Sequence, residues 1–297
     1  MATLRDIRQR ITTVQNTSKI TSAMKMVATA KLRRAQDAIL AARPYATKLS
    51  EILSNLALAE EEFAHPFFQD RNDVTSIAFL IITSDRGLCG SFNTTILRSA
   101  MVHITELQQK YPTAKLSLVL VGKKSISSMT KTENFIQEQF PDVFAKLDFS
   151  TAFSIASLLS EGFLNYDYDL VTMIYSEFKS LIKQIPTIQQ LLPIVPEATS
   201  TNQVSSKKKK TVDYIYEPNR EEILDTLLPK YLNMQVWKGL LESNAAEQAA
   251  RMMAMDAATN NANDLIKILK LSYNKARQAA ITTEMLEIVG GAEALKG

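Results

Sequence analysis

Cysteine and histidine are scarce in this sequence of 297 residues, and long apolar runs are missing from it. The one cysteine, Cys89, excludes an internal disulfide and a zinc site built from several cysteines. The two histidines, His65 and His103, stand at no metal-binding spacing and disfavour a hydrolase triad. No apolar run approaches the roughly 20 residues that span a bilayer, and the first residues lack the pattern of a secretory signal. We therefore expect a soluble protein of a reducing compartment.

Glycine and proline, the residues that most often interrupt helices, are missing from both ends of the chain. The first proline is Pro44 and the first glycine is Gly87, and neither residue type occurs between Gly239 and Gly290. The C-terminal run, at 1.5 Å per residue, would extend on the order of 75 Å as a helix. Such a length is typical of a coiled coil. The two long helices are predicted at residues 1–60 and 219–297.

Both predicted helices repeat apolar or small residues at the alternating spacing of three and four that forms a coiled-coil seam. Because they lie at opposite ends of the sequence with a domain between them, we expect them to pair antiparallel. Serine, threonine and alanine interrupt both seams, so the pair should be thin and weakly stabilised by itself. We therefore expect other molecules to surround it. The seam positions are Leu4, Ile7, Ile11, Val14, Ser18, Thr21, Lys25, Ala28, Leu32, Ala35 and Ile39, and Met252, Met255, Thr259, Ala262, Ile266, Leu269, Tyr273, Ala276 and Ala280.

The middle of the chain, residues 74–218, has the pattern of an α/β domain. Short, continuous apolar runs suit strands that are covered on both faces, and amphipathic helical segments alternate with them. This alternation predicts a mainly parallel sheet. A polar segment at 197–210 has the composition of a surface loop. The predicted strands are residues 76–83, 115–121, 169–178, 185–194 and 211–218, and the predicted helices lie near 94–110 and 151–164.

Two glycine turns in this domain suggest enzymatic chemistry. "VLVGKKS" (119–125) ends like a phosphate-binding loop, but Ser117 stands where that motif requires a glycine. "TSDRGLCGSFN" (83–93) lies between a strand and a helix, where an anion could bind, yet no Ser–His or Cys–His pair is near. A lone cysteine beside a strand end is usually a small buried hydrophobe. We assign both turns a structural role and predict no catalytic, cofactor-binding or metal-binding residue.

The N-terminal helix is basic. Residues 1–50 hold ten Lys or Arg against two Asp, although the net charge of the whole chain is only +3. Residues 4–42 contain no aromatic side chain on which bases could stack, and the apolar face lacks the Trp, Phe and Leu of membrane-surface helices. A protein partner is favoured over a solvated face. Three hypotheses stay open: a mechanical interaction protein, a nucleotide-handling α/β enzyme with coiled-coil appendages, and a basic coiled-coil adaptor for nucleic acid.

Four stretches together resemble the gamma subunit family of F-type ATP synthase. They are "LRDIRQRITTVQNTSKITSAMKMVATAKLRRAQ", "TSDRGLCGSFN", the pair "IPTIQQLLP" and "YIYEP", and "EQAARMMAMDAATNNANDLI…YNKARQAAITTEMLEIVGGAEAL". The likeness covers essentially the whole chain, and the two terminal motifs are highly specific. It implies a Rossmann-like central domain and terminal helices that stand as a shaft inside a ring of three alpha and three beta subunits. The cysteine pair of light-regulated chloroplast forms is missing, so thiol control is not expected.

The resemblance also implies a non-catalytic rotor without a cofactor, present as one copy per complex. It would couple proton-driven rotation of the c ring to conformational changes at the three beta subunits. The implied partners are the alpha, beta and epsilon subunits and the c ring, with no nucleic acid and no membrane insertion. The implied location is peripheral, on the cytoplasmic face of a bacterial plasma (inner) membrane.

Contact residues carry over from the same motifs. In the family, a methionine in the position of Met24 lies beside an acidic loop of the beta subunit, and neighbouring cations would supply complementary charge. Other positions correspond to hydrogen bonds with a beta-subunit loop, to an apolar bearing, and to contacts with the c ring and epsilon. The beta-subunit contacts are Met24, Lys25, Arg33, Arg34, Arg251, Gln278 and Thr282, the bearing is Ile288, Val289 and Leu295, and the c-ring and epsilon contacts are Tyr214, Tyr216 and Glu217.

Overall fold

The chain forms two compact units, which we call the helix-pair unit (Met1–Thr29 with Arg251–Gly297) and the sheet unit (Ala30–Ala250). Helices α1 (Leu4–Leu58) and α5 (Arg220–Ala294) each contribute to both units. The domain boundaries expected from the sequence stay a prediction, and the strand expected at 211–218 lies outside the described residues. The computed structural model describes residues 3–58, 65–69, 71, 73–130, 135–195 and 220–294.

In the helix-pair unit, the first part of α1 and the last part of α5 run antiparallel, as predicted. Three side-chain contacts cross the seam, and in each of them the two residue numbers add up to 280 or 281. A constant total means that positions ascend on one helix as they descend on the other. The contacts are Ser18 Oγ to Asn263 Oδ1 at 2.8 Å, Thr21 Oγ1 to Thr259 Oγ1 at 2.7 Å, and Lys25 Nζ to Asp256 Oδ1 at 2.6 Å.

The seam itself matches the prediction from spacing. Every predicted seam position on α1 and α5 is buried or half-buried, and Ala28 and Ala262 are among the buried ones. With the same alignment, Leu4 near the start of α1 lies opposite Ala276. Residues 281–292 of α5 therefore extend past the paired length, and all of them are exposed.

A sheet of five strands organises the described part of the sheet unit, in the order β3-β2-β1-β4-β5. Strand β1 pairs parallel with β2 and with β4, and β2 pairs parallel with β3. Strands β4 and β5 form an antiparallel hairpin. The predicted mainly parallel sheet is confirmed. The strands are β1 (Ser76–Ile82), β2 (Lys115–Val121), β3 (Phe135–Phe140), β4 (Leu170–Phe178) and β5 (Gln184–Leu192).

Helices cover both faces of this sheet, which explains the continuous apolar runs of its strands. Alternate residues of β1 lie in two different cores. One core contains Ile77, Phe79 and Ile81, and the other contains Ala78, Leu80 and Ile82. The Phe79 core includes residues of α2 (Phe92–Lys110) and α3 (Lys123–Met129). The Leu80 core includes residues of α4 (Phe149–Leu164), of the end of α1 and of the start of α5.

Within the sheet unit, α5 lies close against the strands. Gly239 permits this approach, because a Cβ atom at this position would lie 2.7 Å from Met173 Sδ. Further along the helix, the carboxylate of buried Glu242 accepts the backbone N–H of Phe178 at 3.0 Å, at the end of β4. Burial raises the pKa of Glu242, although this hydrogen bond acts in the opposite direction. Close packing and one hydrogen bond thus attach α5 to β4.

Helix α3 and strand β3 were not predicted from the sequence. Strand β3 is an edge strand, and the three polar residues in its middle, Gln137, Glu138 and Gln139, are exposed. It therefore lacks the continuous apolar signal that revealed the inner strands. Both long helices also continue through a proline, Pro44 in α1 and Pro229 in α5. Buried leucines follow or precede each proline, and Leu53 of α1 and Leu228 of α5 belong to the Leu80 core.

Candidate functional site

The anion-binding position that the turn at 119–125 suggests, at the start of α3, is filled by the chain's own carboxylate. Asp85, in the turn at 83–93, accepts the backbone N–H of Lys123 at 3.1 Å, at the start of α3. It also accepts the N–H groups of Asp142 and Phe144, at 2.9 and 3.1 Å. A bound phosphate would have to displace this carboxylate. The arrangement supports a structural role for Asp85 and for the turn at 119–125.

The remaining groups of these turns also serve packing. Gly122 has a φ of 90°, and a Cβ atom there would lie 2.2 Å from the carbonyl oxygen of Thr83. Ser84 donates its hydroxyl to Arg86 O at 2.7 Å, and Asn93 Nδ2 donates to Cys89 Sγ at 3.1 Å. Cys89 is buried, as a small apolar residue beside a strand end is expected to be.

Other kinds of site find little support in the part of the chain that the structure describes. No three His, Cys, Asp or Glu side chains lie together there in a way that could hold a metal ion. None of the described helices combines the length and the apolar content needed to cross a membrane.

The outer surface of the helix-pair unit is the strongest candidate for an interaction site. Ile20 and Met26 of α1 are 60% and 66% exposed, and Ile268 and Leu271 of α5 are exposed to similar degrees. Large apolar side chains in such number are usually covered by a partner. Exposed cations accompany them on α1; they are Arg5, Arg8, Arg10 and Lys19.

The residues predicted from the resemblance are not brought together into one cluster. Arg251 and Gln278 are both on α5, 27 positions apart, which separates them by about 40 Å along the helix. Gln278 and Thr282 are neighbours: Thr282 Oγ1 donates to the Gln278 backbone oxygen at 2.9 Å. Both of their side chains are exposed, whereas Arg251 is half-buried. The candidate contacts are therefore distributed along the helix.

Lys25 has a partner that sequence reasoning missed. Its ammonium group lies 2.6 Å from the carboxylate of Asp256, across the seam. Spacing identifies Lys25 as a seam position, but it does not say which α5 residue lies opposite. Once one facing pair is known, the others follow, because the residue numbers of each facing pair add up to 280 or 281. Met24, beside it, is half-buried.

The other predicted residues are at the surface or outside the described part of the chain. Arg33 and Arg34 are exposed on α1 and belong to the sheet unit. Ile288 and Val289 are 71% and 58% exposed, although both are apolar. The predicted contacts outside the described residues are Leu295, Tyr214, Tyr216 and Glu217.

Comparison with known proteins identifies the family of the chain. The family model described as "ATP synthase" matches residues 3–295. The "ATP synthase gamma chain" of Chlorobium phaeobacteroides (strain BS1) is 47% identical over 298 residues, which cover 100% of both chains. The chain belongs to the ATP synthase gamma chain family. The gamma chain of Geobacter sp. (strain M21) is 46% identical over 297 residues, again covering 100% of both chains.

Solved structures show the same relationship. This gamma chain is similar to a chain in the central stalk and c-ring structure of Tetrahymena thermophila mitochondrial ATP synthase, with a TM-score of 0.58 and 29% identity. The match covers 80% of this chain and 99% of the other. A chain of the Euglena gracilis mitochondrial ATP synthase rotor has the same fold, with a TM-score of 0.63 and 18% identity over 94% and 98% of the two chains. As a member of this family, the chain is a non-catalytic subunit of ATP synthase, and its similarity to the Tetrahymena chain relates it to the central stalk.

Proposed function

We propose that this gamma chain couples rotation of a c ring to catalysis at three beta subunits, as a single copy within a ring of three alpha and three beta subunits. The observation that carries the proposal is the helix-pair unit, whose seam buries small residues such as Ala28 and Ala262 while large apolar side chains remain on its outer surface. A narrow seam with Ala and Thr buries little apolar area. Surrounding subunits would cover the exposed side chains and support the pair.

Asymmetry gives such a shaft its mechanism. One helix pair inside a threefold ring presents a different face to each of the three beta subunits. A surface shifts a conformational equilibrium only through contacts that differ between the two conformations. Rotation would bring each face to each beta subunit in turn, and would thereby couple the angle of the shaft to nucleotide affinity. The gamma chain forms and breaks no covalent bond in this scheme.

The contact residues follow the geometry of the two helices. We propose that Met24, Arg33 and Arg34 on α1 meet beta subunits through soft apolar surface and positive charge. On α5, Arg251 and the Gln278–Thr282 pair would meet them at two separate places, because about 40 Å of helix lies between these positions. Lys25, predicted in the same group, is already engaged by Asp256.

The remaining proposed contacts involve the end of α5 and residues 214–217. Residues 281–292 extend beyond the paired length and are exposed, so Ile288 and Val289, with Leu295, suit an apolar bearing. We assign Tyr214, Tyr216 and Glu217 to the c ring and epsilon on the strength of their motif. We propose that contact with a membrane ring holds the chain peripherally on the cytoplasmic face of a bacterial plasma (inner) membrane; its relatives in Chlorobium and Geobacter are bacterial.

Reconstitution tests the proposal directly. When the full chain is mixed with the alpha and beta subunits of the same organism, we expect it to co-elute as one copy per three of each. Rotation-dependent ATP hydrolysis should appear in that complex, because the three catalytic sites need the asymmetric shaft to alternate. A chain that elutes separately, or a complex that contains two or three copies of it, contradicts the proposal.

A double substitution tests the Gln278–Thr282 contact. We expect Gln278→Ala with Thr282→Ala to lower coupled turnover about tenfold, the effect of roughly 1.4 kcal/mol lost from two hydrogen bonds. The melting temperature of the isolated chain should not change, because both side chains are exposed. Asn274→Ala with Thr283→Ala is the matched control, since Thr283 is equally exposed and donates to the Ala279 oxygen at 3.0 Å. Equal turnover in both variants would remove this contact from the proposal.

A further inference from the structure

A band of polar side chains interrupts the seam of the helix-pair unit. On one side of the band, toward the start of α1, the seam residues are Leu, Ile and Val paired with Ile, Leu, Tyr and Ala. On the other side, beginning at Ala28 and Met252, small and apolar residues return. The polar band comprises Ser18, Thr21 and Lys25 of α1 and Asp256, Thr259 and Asn263 of α5. Of the α5 residues, Thr259 is a seam position, and Asp256 and Asn263 flank the buried seam residues Met255 and Ala262.

We infer that this polar band fixes the alignment of the two helices, and that Lys25 and Asp256 are positioning residues within it. The charge of Lys25 would then act inside the shaft, on Asp256, rather than on a beta subunit. Alignment also decides how far residues 281–292 extend past the start of α1. A displacement of seven residues would move that end by about 10.5 Å.

The sequence shows why the polar band selects one alignment. Coiled-coil seams repeat every seven residues, so a shift of one heptad returns seam positions to seam positions. After such a shift Thr21 would lie opposite Met252 or Ile266, depending on its direction, instead of Thr259. Lys25 would lose its carboxylate partner in either direction, because the residues seven positions from Asp256 are Ala249 and Asn263. Each shift leaves the hydroxyl group of Thr21 against an apolar side chain and separates Lys25 from Asp256, whereas the observed alignment makes all three polar contacts.

The energetics also favour a role in specificity rather than in stability. The side chains of Lys25 and Asp256 are 42% and 40% exposed, and ion pairs at such sites contribute little net stability. Polar groups at seam positions are known to specify coiled-coil alignment at some expense of stability. The hydroxyl pair of Thr21 and Thr259 is more buried than the ion pair, so its mismatch would be the more unfavourable.

Charge exchange separates this role from a beta-subunit contact. The full chain carries Lys25→Glu, Asp256→Lys or both, in the complex with alpha and beta subunits. A single reversal places like charges across the seam, and the double exchange restores an opposite pair. If Lys25 instead served an acidic surface of a beta subunit, the double exchange would leave a carboxylate facing that surface in place of the ammonium group, and turnover would not recover.

Two cysteine reporters measure the alignment itself. Val14→Cys with Ile266→Cys faces across the seam in the observed alignment, and Ile7→Cys with Ile266→Cys faces across it after a shift of one heptad. On mild oxidation, we expect each single reversal to lower the ratio of the first cross-link to the second about two- to fivefold, the range for a half-exposed ion pair. The double exchange should restore both the ratio and the turnover.

The possible results are distinguishable. A ratio that single reversals leave unchanged, or that the double exchange fails to restore, overturns the assignment of Lys25 and Asp256. The turnover measurement rests on the proposed rotor function, whereas the cross-link ratio does not. A restored ratio with unrestored turnover would therefore support the alignment role while counting against the proposed coupling.

Discussion

Arg71→Ala is expected to destabilise the sheet unit by about 3–5 kcal/mol, because it leaves a buried carboxylate without its cation. The guanidinium of Arg71 donates to Asp169 Oδ1 at 2.9 Å, and both side chains are largely buried. It also donates to the backbone oxygens of Tyr168 at 2.8 Å and Phe163 at 2.6 Å. Rings stack on the same group, with centroids 4.3 Å away for Phe163 and 4.2 Å away for Tyr166. One side chain thus joins the end of α4 to the start of β4.

The pH dependence of this variant gives a second measurement. Burial by itself raises the pKa of Asp169, but hydrogen bonds from Arg71, Thr75 and Ser76 outweigh it and the pKa is lowered. A lowered native pKa stabilises the folded state above the unfolded pKa of about 3.9. That contribution is lost as the pH falls through the native pKa. Without Arg71 the native pKa rises, so we expect acid unfolding of Arg71→Ala to begin at a higher pH.

Urea unfolding of the full chain, at several values between about pH 3 and pH 7, measures both effects. Lys123→Ala is the control, because its ion pair with Asp142 at 2.6 Å is exposed and such pairs contribute about 0–1 kcal/mol. If Arg71→Ala and Lys123→Ala lowered the free energy of unfolding equally, Arg71 would not be the central contact of this region.

The elements of this protein that have a regular residue pattern could be predicted from the sequence. The seam appeared because three- and four-residue spacing persists over many turns, and every predicted seam position is covered in the structure. The inner strands appeared because burial on both faces demands continuous apolar residues. Edge strand β3 was missed for the converse reason, since its exposed Gln137 and Glu138 dilute the apolar pattern.

Contacts between distant parts of the chain were beyond the reach of spacing. No local sequence pattern indicates that Lys25 pairs with Asp256, or that Asp85 accepts the backbone N–H of Lys123. Both contacts depend on how distant parts of the chain pack together. The predicted partner contacts came from the family resemblance and not from periodicity. Their physical sign in the structure is exposure of apolar residues such as Met26 and Ile288, which the chain alone does not cover.

The apolar bearing gives the second large prediction. We expect Ile288→Gln with Val289→Gln to weaken assembly with the alpha and beta subunits about ten- to a hundredfold, because each apolar side chain contributes roughly 1.5–3 kcal/mol when fully buried and partial burial gives less. Turnover of the assembled complex should fall with it. Glutamine is a good helix former, so the helix itself should persist, and circular dichroism of the isolated chain should be unchanged.

The position of Ile288 and Val289 on α5 determines the expected outcome. They lie beyond Ala276, where α1 no longer accompanies α5, so neither stabilises the fold of the chain by packing on it. A loss of assembly without a loss of folding stability can then come only from a surface outside the chain. Thr283→Gln is the matched control, because it adds the same side chain to the same exposed segment without removing an apolar one. Equal assembly of the double variant and this control would show that the end of α5 makes no apolar bearing contact. The partner subunits would then contact the helix pair only along its paired length.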